Sequence, residues 1–140
     1  MKLLDYEKLV YSIPDSSSLI THSDLVLQHR GKTTCWLIGN VYFREGIRLQ
    51  VTEVLDFMLE DFILDYAYVV FRKSEKLYYY DSQAHPHILS LQPTHPHHKH
   101  IPPNIKHNRI PAPELVFNKP NLPLIIKEIK EFVQKKVDLF

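Results

Sequence analysis

The feature that most constrains the fold lies between residues 22 and 81, where the spacing of the apolar side chains changes to every second residue. Residues 47–55 alternate apolar and polar side chains almost without error, which is typical of a half-buried antiparallel strand. Four other segments in this region are predicted as strands: 22–29, 34–43, 65–72 and 77–81. Of these, 34–43 is rich in aromatic and β-branched residues. Because sequential strands usually pair, the sequence predicts an antiparallel meander of about five strands.

Helices are predicted at both ends of the chain. Residues 3–13 repeat apolar side chains at three- and four-residue spacing until Pro14. Residues 122–137 form an amphipathic pattern, and Pro120 and Pro123 lie at its start, where a missing N–H costs little. A chain of 140 residues fits one domain, so we expect a single α+β domain over residues 1–140.

The segment between the last predicted strand and the C-terminal helix is unusual. Residues 82–113 contain seven of the ten prolines and no glycine. A segment of this length without regular structure inside a small domain is usually functional or disordered. Proline restrains the backbone and several isoleucines and leucines can anchor the segment, so we expect a long ordered loop across the sheet.

Composition limits the compartment and the class of protein. Cys35 is the one cysteine, so no intrachain disulfide can form and a reducing cytoplasm is the natural expectation. The N-terminal residues lack the apolar core of a signal peptide, and no run of about 20 apolar residues predicts a membrane span.

Seven of the nine histidines lie between His85 and His107, in a region that also lacks acids. No Asp or Glu occurs between Asp81 and Glu114. Residues 1–70 carry six Lys or Arg against ten Asp or Glu, whereas residues 71–140 carry eleven against six. Such a histidine-rich segment in the basic half of the chain suits an anionic ligand, of which phosphate is the commonest.

The histidines supply the groups needed for metal-independent RNA cleavage. That reaction needs a base for the 2′-hydroxyl, an acid for the leaving oxygen and a cation for the developing charge. The predicted acid and base residues are His97, His98 and His100, with Asp81 orienting an imidazole. The predicted contacts to phosphate or RNA are Lys99, His85, His87, Lys106, Arg109 and Tyr79.

Two other interpretations of the same segment remain open. Pairs such as His95 with His97 can present imidazoles to zinc, but their spacing matches no structural zinc motif, so we expect no metal and no cofactor. The imidazoles could also be purely structural and cap loop carbonyls. The alternative to an RNA-cleaving enzyme is a non-enzymatic binding module whose histidine-rich loop contacts a protein partner, nucleic acid or a metal ion.

The chain resembles the TumE family, which consists of small toxins of prokaryotic toxin–antitoxin pairs. The resemblance covers about residues 20–137, and its most specific element is Pro96-His97-His98-Lys99-His100. The other matching elements are Leu49–Glu53 after a glycine turn, Tyr66 with Tyr68, Tyr80-Asp81, and Ala84-His85 with His87. The chain departs from the family pattern at two places. The family often has arginine at the position of Tyr79, and it often has a glycine after the histidine motif, where this chain has Ile101-Pro102-Pro103.

The resemblance implies an antiparallel sheet with flanking helices and a cytoplasmic toxin of type II, suspected to act on RNA. It implies a cognate antitoxin as partner, often a DNA-binding helix-turn-helix protein. The positions that carry over are Asp81, His85, His87, His97, His98, Lys99 and His100, supported by Glu53 and Tyr68. Because of the two departures, an inactive family member is the alternative.

Overall fold

A computed structural model describes residues 1–82 and 96–138 of the chain. The fold is α+β, as predicted, with one helix before the sheet and one after it. The helices are α1 (Leu3–Ser12), which continues into a short 3₁₀ turn, and α2 (Leu122–Asp138). The strands are β1 (Ile20–Ser23), β2 (Val26–His29), β3 (Thr34–Phe43), β4 (Ile47–Asp56), β5 (Ile63–Arg72), β6 (Glu75–Asp81), β7 (His98–His100) and β8 (Arg109–Pro111).

All the strands belong to one antiparallel sheet in the order β1-β3-β4-β5-β6-β7-β8, and β2 also pairs with β3. The predicted meander is therefore confirmed. Residues 22–29, predicted as one strand, form parts of two strands, because the chain leaves the ladder at Asp24 and Leu25. There it crosses Gly39, where a Cβ atom would lie 2.7 Å from the carbonyl oxygen of Asp24, so only glycine fits.

The two helices cover the same face of the sheet, which we call the inner face. The alternating residues Ile47, Leu49, Val51 and Leu55 of β4 are buried there with the apolar side chains of α1 and α2. The opposite face, which we call the outer face, carries exposed side chains such as Trp36. Alternation along each strand therefore decides which side chains reach the helices and which point away from them.

The described part of the segment 82–113 extends the sheet. β7 adds to the edge of β6, and β8 adds to β7 after a turn over residues 101–108. Each of these strands has only three residues, too few for an alternation pattern, so the sequence predicts a loop where β7 and β8 lie. Residues 1–82 and 96–138 contain eight strands, whereas the sequence predicts about five. Residues 83–95, the first part of the predicted loop, lie outside the described residues.

Candidate functional site

The register of the last three strands divides the predicted site residues between the two faces of the sheet. In β6 and β7, Tyr79 pairs with His100, Tyr80 with Lys99, and Asp81 with His98. In β8, Arg109 pairs with His100. Because paired residues share a face and successive residues alternate, the outer face receives Tyr79, Asp81, His98, His100 and Arg109.

Three of these residues form a compact group, which we call the Asp–His cluster: Asp81, His98 and His100. Nε2 of His98 lies 2.6 Å from Oδ1 of Asp81, and Nε2 of His100 lies 3.4 Å from Oδ2. The two Nε2 atoms are 3.0 Å apart. The side chains of His98 and His100 are only 1% and 4% exposed, whereas that of Asp81 is 20% exposed. The carboxylate is therefore the most accessible member of the cluster.

The outer nitrogens of both imidazoles are fixed by backbone carbonyls. Nδ1 of His98 lies 2.9 Å from the carbonyl oxygen of Pro96, and Nδ1 of His100 lies 2.6 Å from that of Ile105. A carbonyl only accepts hydrogen bonds, so each Nδ1 carries a hydrogen and each neutral ring has its lone pair on Nε2. Two lone pairs and a carboxylate then face one another, an arrangement that needs a proton or another cation among them.

Aromatic and cationic groups surround His100. The ring of Tyr79 stacks on the imidazole with centroids 3.9 Å apart. Burial lowers the pKa of His100, although its hydrogen bond to Ile105 and the charge of Asp81 act in the opposite direction. The charge of Arg109 also acts on His100, and its buried Nε has no hydrogen-bond partner among the described residues. The outer face therefore holds a guanidinium beside the cluster.

His97 and Lys99 lie on the inner face, away from the cluster. The ammonium of Lys99 lies 2.9 Å from Oε1 of Glu128 in α2, and above the ring of Tyr78. Nδ1 of His97 lies 2.6 Å from the hydroxyl of Tyr66. The structure thus brings His98, His100 and Asp81 together, as the sequence interpretation requires, but it does not bring His97 or Lys99 to them.

Glu53 and Tyr68, the two supporting residues, meet in a buried network on the inner face. The hydroxyls of Tyr6 and Tyr68 both donate to the carboxylate of Glu53, which is 0% exposed. Nδ2 of Asn121 donates to the hydroxyl of Tyr68 over 3.2 Å. Burial raises the pKa of Glu53 to about 7, and the two tyrosine hydrogen bonds oppose that rise. This network joins α1, β4, β5 and the residue before α2.

The sequence interpretation missed Tyr6 and Asn121. A signal for the buried network did exist, because Glu53 occupies the same phase of the β4 alternation as the buried Val51 and Leu55. No comparable signal marks Tyr6 or Asn121, which come from distant parts of the chain.

The remaining predicted contacts lie apart from the cluster or outside the described residues. Lys106 is exposed on the turn between β7 and β8. His85 and His87 lie outside the described residues.

Comparison with known families identifies a family for this chain. A family model described as Toxin TumE matches residues 7–133, which is most of the chain. The match includes the Asp–His cluster and, of the buried network, Glu53, Tyr68 and Asn121. Neither the curated proteins nor the solved structures provide a match to this chain. No helix within residues 1–82 and 96–138 has the length and apolar character needed to cross a membrane.

Proposed function

Because this chain belongs to the TumE family of toxins, we propose that it is the toxin of a type II pair and that it acts on RNA. Membership implies a toxin-like function in a toxin–antitoxin system, with an antitoxin as the partner. The RNA target, the chemistry of the histidines and a helix-turn-helix antitoxin are parts of the proposal.

The observation that carries the proposal is the Asp–His cluster beside Arg109 on the outer face. The cluster combines two imidazoles whose Nε2 atoms face a carboxylate, with at least one cation required among them. A neutral imidazole accepts a proton through Nε2, and a protonated one donates it. The two chemical roles needed for cleavage of a phosphodiester are therefore present within one hydrogen-bond length of each other.

The proposed reaction is an attack of the 2′-oxygen on the neighbouring phosphorus. One imidazole of the cluster removes the 2′-hydroxyl proton, and the other protonates the 5′-oxygen as its bond to phosphorus breaks. The products are a 2′,3′-cyclic phosphate and a 5′-hydroxyl, so no water is consumed in this step. The guanidinium of Arg109 stabilises the charge on the phosphorane oxygens.

The faces of the sheet refine the roles proposed for individual residues. Arg109 replaces Lys99 as the cation beside the cluster, because Lys99 is paired with Glu128 on the inner face. The family often has an arginine at the position of Tyr79. In this chain Arg109 of β8 would supply the guanidinium instead. We assign His97 a positioning role, since it holds the start of β7 against Tyr66.

The proposal is tested with the purified full chain and a defined RNA oligonucleotide in EDTA. We compare the wild type with His98→Gln and His100→Gln, which keep a polar side chain of similar length. Each variant should cut at least about a hundredfold more slowly, in line with the loss of a general acid or base. His107→Ala is the matched control, because His107 is exposed on the turn that follows β7.

Two results would contradict the RNA assignment. One is the absence of cleavage by a wild-type chain that inhibits growth when it is expressed without its antitoxin. The other is equal cleavage by wild type and both glutamine variants, which would point to a contaminating nuclease. The nature of the partner is tested separately by isolating the chain from its host and sequencing the small protein that copurifies.

A further inference from the structure

The Asp–His cluster has the donor set of a metal site as well as that of a proton-transfer site. We propose that Asp81, His98 and His100 bind one divalent transition-metal ion of the zinc class. Binding of the ion does not depend on the proposed action on RNA, because it follows from the geometry of the three side chains alone.

The distances within the cluster fit a single small cation. One ligand atom from each side chain lies within 4.8 Å of the other two. On a tetrahedral zinc ion with bonds of about 2.0 Å, two ligand atoms lie about 3.3 Å apart. The observed separations of 3.0 Å between the Nε2 atoms and 3.4 Å between His100 and Asp81 are close to that value, and the 2.6 Å between His98 and Asp81 is shorter. A small opening of the cluster would admit the ion.

The backbone prepares both imidazoles for metal binding. Histidine ligands usually donate their other ring N–H to a carbonyl or a carboxylate, which fixes the tautomer and the ring orientation. Here Nδ1 of His98 donates to Pro96 and Nδ1 of His100 donates to Ile105, so both Nε2 lone pairs point inward. Alternation along β7 places the two rings on one face, and pairing with β6 places Asp81 opposite His98 on that face.

The charges of the site indicate a moderate affinity rather than that of a structural zinc centre. Asp81 supplies one negative charge, and the described residues contain no fourth ligand in the cluster. Arg109 lies on the same face and its positive charge opposes the ion. Within the described residues the donor set of two imidazoles and one carboxylate is that of several zinc sites, and it lacks the thiolates of most structural ones.

The metal ion and the shared proton compete for the same space between the two Nε2 atoms. If the cluster transfers protons to and from RNA as proposed above, the bound ion stops that transfer. Zinc is therefore expected to inhibit the toxin, and chelators to restore it. This last consequence rests on the proposed function, whereas the binding itself does not.

Binding is tested by titrating the metal-free full chain with Co²⁺ and Zn²⁺. Cobalt in a tetrahedral site gives visible absorption bands, which Zn²⁺ should abolish on displacing it. We expect one equivalent to bind, with at least a tenfold weaker affinity in Asp81→Asn and in His98→Gln. Circular dichroism and thermal melting check the fold, and Asp81→Asn carries the test if His98→Gln does not fold, because Asp81 is partly exposed.

Two controls separate this site from other histidines. His107→Ala should bind as the wild type does. A variant in which His85, His87 and His95 are all replaced by alanine should also retain the site. Equal affinity in the wild type and in Asp81→Asn, or binding that is lost only in the triple variant, would overturn the proposal.

The two proposals can fail separately. A chain that binds one metal ion at the cluster but cuts no RNA keeps the metal site and loses the proposed function. A chain that cuts RNA in EDTA and does not bind Co²⁺ or Zn²⁺ loses the metal site and keeps the function.

Discussion

Replacement of Glu53 by glutamine should flatten the dependence of stability on pH. The carboxylate is fully buried between Tyr6 and Tyr68, and its pKa rises from an ordinary value of 4.5 to about 7 in the folded protein. Between these two values the folded chain holds a proton that the unfolded chain has released. The free energy of unfolding therefore falls as the pH rises through this window, and the loss is complete above about pH 7.

The size of the effect follows from the shift. One pKa unit corresponds to about 1.4 kcal/mol, so Glu53 should remove about 3 kcal/mol of stability between pH 4.5 and pH 8. Glutamine cannot ionise, so the variant should lack this loss of stability between pH 4.5 and pH 8. At pH 5 Glu53 is protonated, and its hydroxyl can donate as well as accept, whereas the amide NH2 of glutamine only donates. We therefore expect a loss of about 1 kcal/mol at pH 5. At pH 8 the variant should be at least as stable as the wild type.

The measurement is urea denaturation of both proteins at pH 5, 6, 7 and 8. Other titrating groups affect both proteins equally, so the difference between the two curves isolates Glu53. Glu60→Gln, at an exposed glutamate in the turn after β4, should keep the dependence of the wild type. If the free energy of unfolding changes with pH in the same way for the wild type and Glu53→Gln, burial does not hold the proton on Glu53.

Three further predictions concern the network, the sheet and the cation beside the cluster. Tyr6→Phe removes a hydroxyl that donates to Glu53, so it should cost about 1–3 kcal/mol at pH 8 and raise the pKa of Glu53 further, as measured by the same denaturation series. Gly39→Ala should cost about 2–4 kcal/mol in thermal unfolding, because the added Cβ would clash with the crossing backbone at a φ of +141°. Arg109→Ala should slow RNA cleavage about a hundredfold, whereas Lys99→Met should slow it much less; the reverse order in the oligonucleotide assay would place the phosphate on the inner face.

The long strands and the helices were predictable because their patterns repeat over many residues. Nine residues of β4 alternate, and α2 repeats its apolar face over four turns, so local sequence decides both. β7 and β8 depend instead on the free edge of β6, to which they add backbone hydrogen bonds. With three residues each, they carry too little pattern for their structure to be read from the sequence.

The residue types of the site were also predictable, but their grouping was not. The sequence places His97, His98, Lys99 and His100 next to one another, and extended backbone then puts successive residues on opposite faces of the sheet. Only the pairing with β6 shows that Asp81 joins His98 and His100. The choice of Arg109 rather than Lys99 likewise depends on β8, which the sequence did not predict.

The short strand β8 has a consequence for how a partner can approach the toxin. β8 ends the sheet within the described residues, and it contains three residues, one of them Pro111. Proline has no N–H to offer, so a further strand cannot form a regular ladder on this side. A protein that binds here must use side chains rather than extend the sheet. The histidines of β7 are thereby kept one strand away from the border at which proteins most readily aggregate or exchange strands.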